Sequence, residues 1–350
     1  MKKICKYHLF AILLVPGLLA PLLSGCAHAP GKVSKSGFYF DTIITITLYG
    51  TTDASYIDQC FSLAAEYERK LSNTIEDSEI SKINAGAGDF VTVSDETLAL
   101  LQAGVHYGEI SGGCFDITVG KLSALWNIPE IAKNSKSDDN EADAAVLPAP
   151  DLLNETLSHV DYKKIAINGN RVKLEDPQAA IDLGGIAKGF IADKMREYLQ
   201  SEGITSGILN LGGNVLTLGE KEDGAFYSVG IQKPFADSGV SLGTLSLRDA
   251  SVVSSGIYER YFRVDGKLYH HILDTRTGFP VENNLYQVTI ISESSMDGDA
   301  LSTACFALGL SDGMALVESL ENVEAVFVTG DGALHYSSGI GDDIIFSPAD

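Results

Sequence analysis

IDLGGIAKGFIAD, Ile181 to Asp193, reads as the end of a strand, a two-glycine corner and the opening turns of a helix. The helix should run to about Ser201, with Gly203 just beyond it, where glycine accepts the left-handed backbone that stops a helix. Downstream, strand-like runs follow one another at Ser206 to Leu211, Ala225 to Ile231, Gly243 to Leu247 and Leu285 to Ile291. Helical spacing returns at Asp299 to Leu308 and Asp312 to Leu320, and strands at Ala325 to Thr329 and Ala333 to Tyr336. Strands clustered in sequence between helices imply an α+β fold, not a doubly wound parallel sheet.

Upstream of the corner, Thr42 to Tyr49 alternates β-branched and apolar residues as a strand does. Ala54 to Leu71 places Ile57, Phe61, Ala64 and Ala65 at helical spacing. Asp95 to Ile110 repeats that pattern, with Ser94 or Asp95 as its N-cap. Lys164 to Ile167 and Arg171 to Leu174 form a hairpin through Asn168-Gly169-Asn170. Before that hairpin, Lys133 to Asp143 is charged and poor in apolar residues, and Pro148 and Pro150 follow. Residues 132–148 are therefore expected to be a flexible surface insertion.

With 45% hydrophobic and 21% charged residues, the composition is that of a folding globular protein. The net charge is −22, from 25 basic and 47 acidic residues. No basic stripe interleaves with aromatics, which argues against nucleic-acid binding.

The first residues read as an export signal. Lys2, Lys3 and Lys6 precede the nearly all-apolar Leu9 to Leu23, a run short of the roughly 20 residues a spanning helix needs. Leu23-Ser24-Gly25-Cys26 matches a bacterial lipobox, whose small residues let a peptidase reach the bond before a cysteine that carries diacylglycerol. An uncleaved anchor with an incidental cysteine is the other reading. The expectation is a signal peptide over 1–25, lipidation at Cys26, a tether over 26–37 and a domain over 38–350. The mature protein would be exported and held by lipid on the outer face of the bacterial cytoplasmic membrane. Cleavage takes the net charge from −22 to −25, because residues 1–25 carry three lysines and no acid. Cys60, Cys114 and Cys305 remain in the domain, with spacing that suits neither zinc nor a redox motif. A bridge between two of them stays open.

Three runs carry candidate chemistry. In the first, Asp182 and Lys188 flank the Gly184-Gly185 corner, whose N–H groups and helix dipole favour an anion. Glycine pairs before helices are also ordinary turns. In the second, DGDALSTA (Asp297 to Ala304), Asp299 lies three residues before Ser302 and four before Thr303, so the three share a helix face. A carboxylate and a hydroxyl so placed are hard oxygen donors suited to Mg²⁺. The same residues serve equally as a helix cap (Asp297 or Asp299) with Thr303 bonding back to the main chain. In the third, HILDTRTGFP (His271 to Pro280), His271 offers a base of near-neutral pKa and Gly278 the unusual backbone angle of a tight turn. A structural histidine is the alternative, and His270 stands beside it.

Taken with FDT (Phe40 to Thr42), SEIS (Ser78 to Ser81), GGCFDITVG (Gly112 to Gly120), LNLGGN (Leu209 to Asn214) and SSGIYER (Ser254 to Arg260), these runs make the chain similar to FAD:protein FMN transferases, the ApbE family. The resemblance spans roughly Gly37 to Ala333. It implies an ApbE-like α+β fold with mostly antiparallel sheets, packed helices and an FAD cleft between two subdomain halves. It also implies cleavage of FAD with Mg²⁺, transfer of FMN to a threonine or serine hydroxyl of an acceptor protein, and release of AMP.

By that resemblance the metal falls to the carbonyl of Gly185 and to Asp299 and Thr303, with Ser302 where some members carry another carboxylate. Flavin and adenosine contacts fall to Phe40, Thr74, Cys114, Phe115, Asp116, Asp182, Lys188 and Ile272. Thr74 stands where members often have an aromatic residue, and Thr275 replaces the proline of the usual HxxDP run. His271 is the expected base. An Mg²⁺-dependent FAD pyrophosphatase and a flavin-binding lipoprotein without chemistry are the competing functions. Family habit points to membrane redox-pump subunits or extracytoplasmic reductases as acceptors.

Overall fold

The eight strands of the main sheet lie side by side in the order in which the chain makes them. They are Lys32–Tyr39, Thr42–Tyr49, Gly207–Leu211, Asn214–Leu218, Ser251–Gly256, Leu285–Ser292, Val323–Thr329 and Leu334–Tyr336, each antiparallel to the next. The computed structural model describes residues 31–135, 141–221, 223–341 and 344–349. The expected signal peptide and Cys26 lie outside them.

Helices and smaller sheets are inserted in the connections, so sequence neighbours stay sheet neighbours while long excursions return to the same edge. Two tight links set the register at one end. Leu211 pairs with Asn214 across Gly212 and Gly213, at φ 63° and 96°, and Tyr39 pairs with Thr42 across Phe40 and Asp41, at φ 53° and 54°. Positive φ at both positions is the type I′ form of two-residue hairpin, whose twist matches that of the strands. A Cβ on Gly212 would overlap the Thr42 hydroxyl, so the two turns pack directly together.

Alternation along the strands builds two cores, because successive side chains point to opposite faces. Ile290, Ala325, Phe327 and Leu216 face the helical layer, with Ala300, Leu301 and Ala304 of the helix Ser295–Leu308 and Ile191 and Met195 of the helix Ala187–Ser201. Ile291, Val326 and Val252 face the other way, onto a three-stranded sheet of Tyr227–Gln232, Ser241–Leu247 and Ile345–Pro348. A satellite core of Leu122, Trp126, Ile128, Leu153 and Phe262 lies under the hairpin Tyr261–Val264/Lys267–His270, from which the His271 loop springs. Cys60, Cys114 and Cys305 are free thiols.

The expected strands and helices appear within a few residues of their sequence bounds, and Asp95–Ile110 is capped by Ser94. Two expectations need correction. The tether expected over 26–37 becomes a strand at Lys32, an edge strand with no apolar alternation. Main-chain pairing and the Ser34–Thr47 and Ser36–Thr45 hydroxyl contacts, both 2.8 Å, hold it. The insertion expected over 132–148 is structured on both flanks of residues 136–140, which lie outside the described residues. Ile128–Asn134 is helical. Ala142 N–H donates to the Arg263 carbonyl at 2.8 Å, and Val146 and Leu147 pack on the satellite core. Charged neighbours hide those two apolar anchors in the sequence.

Candidate active site

The glycine corner is clamped from both sides. The Asn84 side chain accepts from Ile181 N–H at 2.7 Å and donates to the Ile181 carbonyl at 3.0 Å. Asp182 N–H donates to Ile117 and Gly120 N–H to Ala180, both at 2.8 Å, which lays the GGCFDITVG run along the corner. The Asp182 carboxylate accepts from Gly184 N–H at 2.8 Å and closes the turn. Asp116, expected at the flavin, is buried and accepts from Thr118 N–H and Oγ1–H (both 2.7 Å) and Tyr162 N–H (2.8 Å). Its carboxylate therefore braces its own loop against the Tyr162 segment, although burial pushes its pKa up.

The Ser295–Leu308 helix begins a turn earlier than its sequence suggests, and this decides what Asp299 does. Ser294 is the cap, accepting from Asp297 N–H at 3.2 Å. Asp193, from the last position of the first run, accepts from Ser295 and Met296 N–H at 2.9 Å each and is held by Arg196 at 2.9 Å. A carboxylate at a helix N-terminus satisfies main-chain donors and meets the positive end of the dipole. Capping thus falls to neither Asp297 nor Asp299. Asp297 accepts from the Tyr107 hydroxyl at 2.6 Å.

Asp299, 4% exposed, accepts from Gly189 N–H at 3.0 Å and from Lys188 Nζ at 3.2 Å. Lys188 also donates to the Gly184 carbonyl at 3.2 Å. Gly185 lies against Thr303: a Cβ there would sit 3.6 Å from Thr303 Oγ1 and 3.1 Å from the Phe115 ring. The corner and the helix therefore meet. Ser302 is a correction to the expected metal set, because it is wholly buried and its hydroxyl donates to the Asp299 carbonyl at 2.9 Å. Among the described residues no group of three His, Cys, Asp or Glu could hold a metal. One carboxylate, one hydroxyl and a main-chain carbonyl are instead the sparse oxygen set that suits Mg²⁺, which keeps waters or phosphate oxygens as further ligands.

Of the two adjacent histidines, His270 is structural. It is buried, donates from Nε2 to the Val281 carbonyl at 2.9 Å and accepts at Nδ1 from Ile272 N–H at 3.3 Å, and burial pushes its pKa down to about 4. His271 is only partly buried. Its Nδ1 lies 3.3 Å from the Arg260 carbonyl, which can only accept, so the proton sits on Nδ1 and Nε2 keeps its lone pair. Desolvation, then Arg260, His270 and Lys188, lower its pKa to about 3, so the ring is neutral at physiological pH. Glu259 is exposed and stands near enough to Lys188, Arg260 and Asp299 to feel their charges. Desolvation and nearby Asp299 push its carboxyl up, against Lys188 and Arg260.

The His271 loop is tied down at three points. Gly278, at φ 75°, takes the left-handed turn as expected, and its carbonyl accepts from Trp126 Nε1 at 2.6 Å. Asp274 holds Arg276 by two side-chain bonds of 3.0 Å. Thr275 Oγ1 donates to the Gly113 carbonyl at 2.6 Å, joining the histidine loop to the GGCFDITVG run. A proline could not make that bond. Thr275→Val should leave the fold intact and lower turnover a fewfold through a looser loop, while Thr275→Ser retains the wild-type rate. Steady-state kinetics of the three forms check this.

Lys188, Asp299, Gly185, Thr303 and Phe115 thus converge, and His271 stands near enough to Lys188 for that charge to lower its pKa. Other expected contacts lie further out or face inward. Phe40 stands in its hairpin turn with its N–H donating to Glu68 at 2.7 Å. Thr74 is exposed, its hydroxyl 2.9 Å from that of Ser72. Cys114 is half-buried and burial pushes its thiol up. Ile272 is a core residue, 4% exposed. Sequence reasoning passed over Asn84, Asp193, Ser255, Glu259 and Arg260 as site-building residues. Asp193 closes one of the quoted runs and Ser255, Glu259 and Arg260 lie in another, SSGIYER, whereas Asn84 stands in none.

The ApbE family model matches residues 40–327. An FAD:protein FMN transferase of Klebsiella pneumoniae is 36% identical over 323 residues, covering 91% of this chain and 95% of that protein. One from Treponema pallidum is 33% identical over 353 residues, with 94% of each covered. The crystal structure of the ApbE protein of Thermotoga maritima superposes with a TM-score of 0.78 at 30% identity, covering 88% of this chain and 97% of that one. The flavin transferase ApbE of Vibrio cholerae gives 0.77 at 27% identity, covering 89% and 98%.

Proposed function

Because the chain belongs to the ApbE family, we propose that it is an FAD:protein FMN transferase, moving FMN from FAD to a threonine or serine hydroxyl of an acceptor protein and releasing AMP. The observation that carries the reading is the meeting of the Gly184-Gly185 corner, Lys188, Asp299 and Thr303, with a neutral histidine that feels the Lys188 charge. In an acidic protein, a dianionic pyrophosphate needs local positive charge, and Lys188 beside the corner supplies it, with Arg260 near His271.

His271 Nε2 takes the proton of the acceptor hydroxyl as its oxygen bonds to the FMN phosphorus. The bond from that phosphorus to the bridging oxygen breaks, and AMP leaves with the oxygen. A bound Mg²⁺ would neutralise charge on the attacked phosphate and the leaving group, with the Gly185 carbonyl, Asp299 and Thr303 as its protein ligands.

Incubating the mature protein with FAD, Mg²⁺ and a candidate acceptor should give flavin fluorescence on the denatured acceptor in a gel. Free FMN without labelled acceptor would indicate a pyrophosphatase, and intact FAD a binding protein. The lipobox supports attachment through Cys26 to the outer face of the cytoplasmic membrane and an acceptor there, such as a redox-pump subunit or extracytoplasmic reductase. Diacylglycerol on Cys26, sought by mass spectrometry, tests the anchor.

A further inference from the structure

Three hydroxyls behind the cation site form one chain. Ser255, at the end of the strand Ser251–Gly256, has its Oγ 2.8 Å from Ser302 Oγ and 3.2 Å from Thr303 Oγ1. Ser302 Oγ lies 2.9 Å from the Asp299 carbonyl oxygen. Each hydroxyl has a single proton, and a carbonyl oxygen only accepts.

The direction of the whole chain follows from its last member. Ser302 gives its proton to Asp299, so the Ser255–Ser302 contact needs the proton of Ser255. With that proton committed, the Ser255–Thr303 contact needs the proton of Thr303. The order is Thr303 to Ser255 to Ser302 to the Asp299 main chain. Thr303 Oγ1 is left with its lone pairs and no proton to turn toward Gly185.

We infer that Ser255 and Ser302 are positioning residues that fix Thr303 as an acceptor, holding its oxygen ready for a hard divalent cation. This rests on the cation site assigned above and adds what orients it. Ser302, buried and unable to ligate, acquires a role as the residue that sets the polarity. The helical back-bond, which the sequence alone leaves to Thr303, belongs to its neighbour. Without the chain, the Thr303 proton is free to rotate toward the cation and oppose it. Partners behind a metal ligand typically change metal affinity about 10- to 100-fold when removed.

The test measures Mn²⁺ binding by electron paramagnetic resonance of free Mn²⁺, with FAD present and acceptor absent. FAD binding in EDTA and thermal stability are followed in parallel. Ser255→Ala should raise the Mn²⁺ dissociation constant about tenfold or more, with FAD binding in EDTA unchanged, and Ser255→Thr should restore it. Ser302→Ala, a second route to breaking the chain, should weaken Mn²⁺ in the same direction. Equal Mn²⁺ affinity in the wild type and in either folded alanine variant would overturn the inference and leave the cation site standing. Failure of the wild type to bind Mn²⁺ would overturn both.

Discussion

His271→Ala lowers flavin transfer to the acceptor by about 10²- to 10⁴-fold, the usual span for removing a general base, with little change in FAD binding. The geometry specifies which nitrogen acts. Nδ1–H is held by the Arg260 carbonyl at 3.3 Å, so Nε2 is the basic atom. Desolvation and the cations Arg260 and Lys188 keep the free ring unprotonated down to about pH 3. An acidic limb in kcat/KM from this group therefore lies below pH 5. Once the dianionic substrate sits beside those cations, their effect on the ring is offset and its pKa moves up, so the limb in kcat falls at higher pH than the limb in kcat/KM. A variant retaining more than a tenth of wild-type transfer, measured by gel fluorescence under single-turnover conditions, would remove His271 from the mechanism.

The same residue shows where sequence reading stops. Two adjacent histidines are indistinguishable by type, and what separates them is enclosure. His270 has both ring nitrogens engaged in the core, while His271 is only partly buried and engages Nδ1 alone. Likewise, Asp297 and Asp299 are equal candidates for a helix cap until Ser294 and Asp193 are seen to fill that role. Asp193 reaches that helix only because two helices more than a hundred positions apart cross, a relation no local pattern carries. What was legible was local: glycine corners, apolar period and strand alternation all predict elements that the fold contains. The edge strand Lys32–Tyr39 was illegible for a physical reason. A strand bonded on one side and only partly buried on one face, through Val33 and Tyr39, has almost no apolar signature, and its pairing is written in the main chain.

Gly189→Ala should cost on the order of 3 kcal/mol, since overpacking against main chain has no flexible side chain to relieve it. The helices Ala187–Ser201 and Ser295–Leu308 touch at this point. A Cβ on Gly189 would overlap the Ser295 carbonyl oxygen and lie 2.6 Å from its carbon and 2.7 Å from Met296 Cα. The crossing brings Gly189 N–H to Asp299 and Asp193 to the cap, so forcing the helices apart loosens three contacts at once. The melting temperature should fall by roughly 5–10 °C, and Mn²⁺ binding should weaken with it, because Asp299 and Thr303, on one helix, move together away from Gly185. Gly203, just past the other end of the same helix, supplies the contrast. It has φ 79° and nothing within 4 Å of its missing Cβ, so Gly203→Ala bears only left-handed backbone strain, about 1–2 kcal/mol, and should leave Mn²⁺ binding untouched. Calorimetry and Mn²⁺ titration of the two variants decide the matter: if Gly189→Ala melts with the wild type, close helix crossing is not what sets the distance between the glycine corner and Asp299.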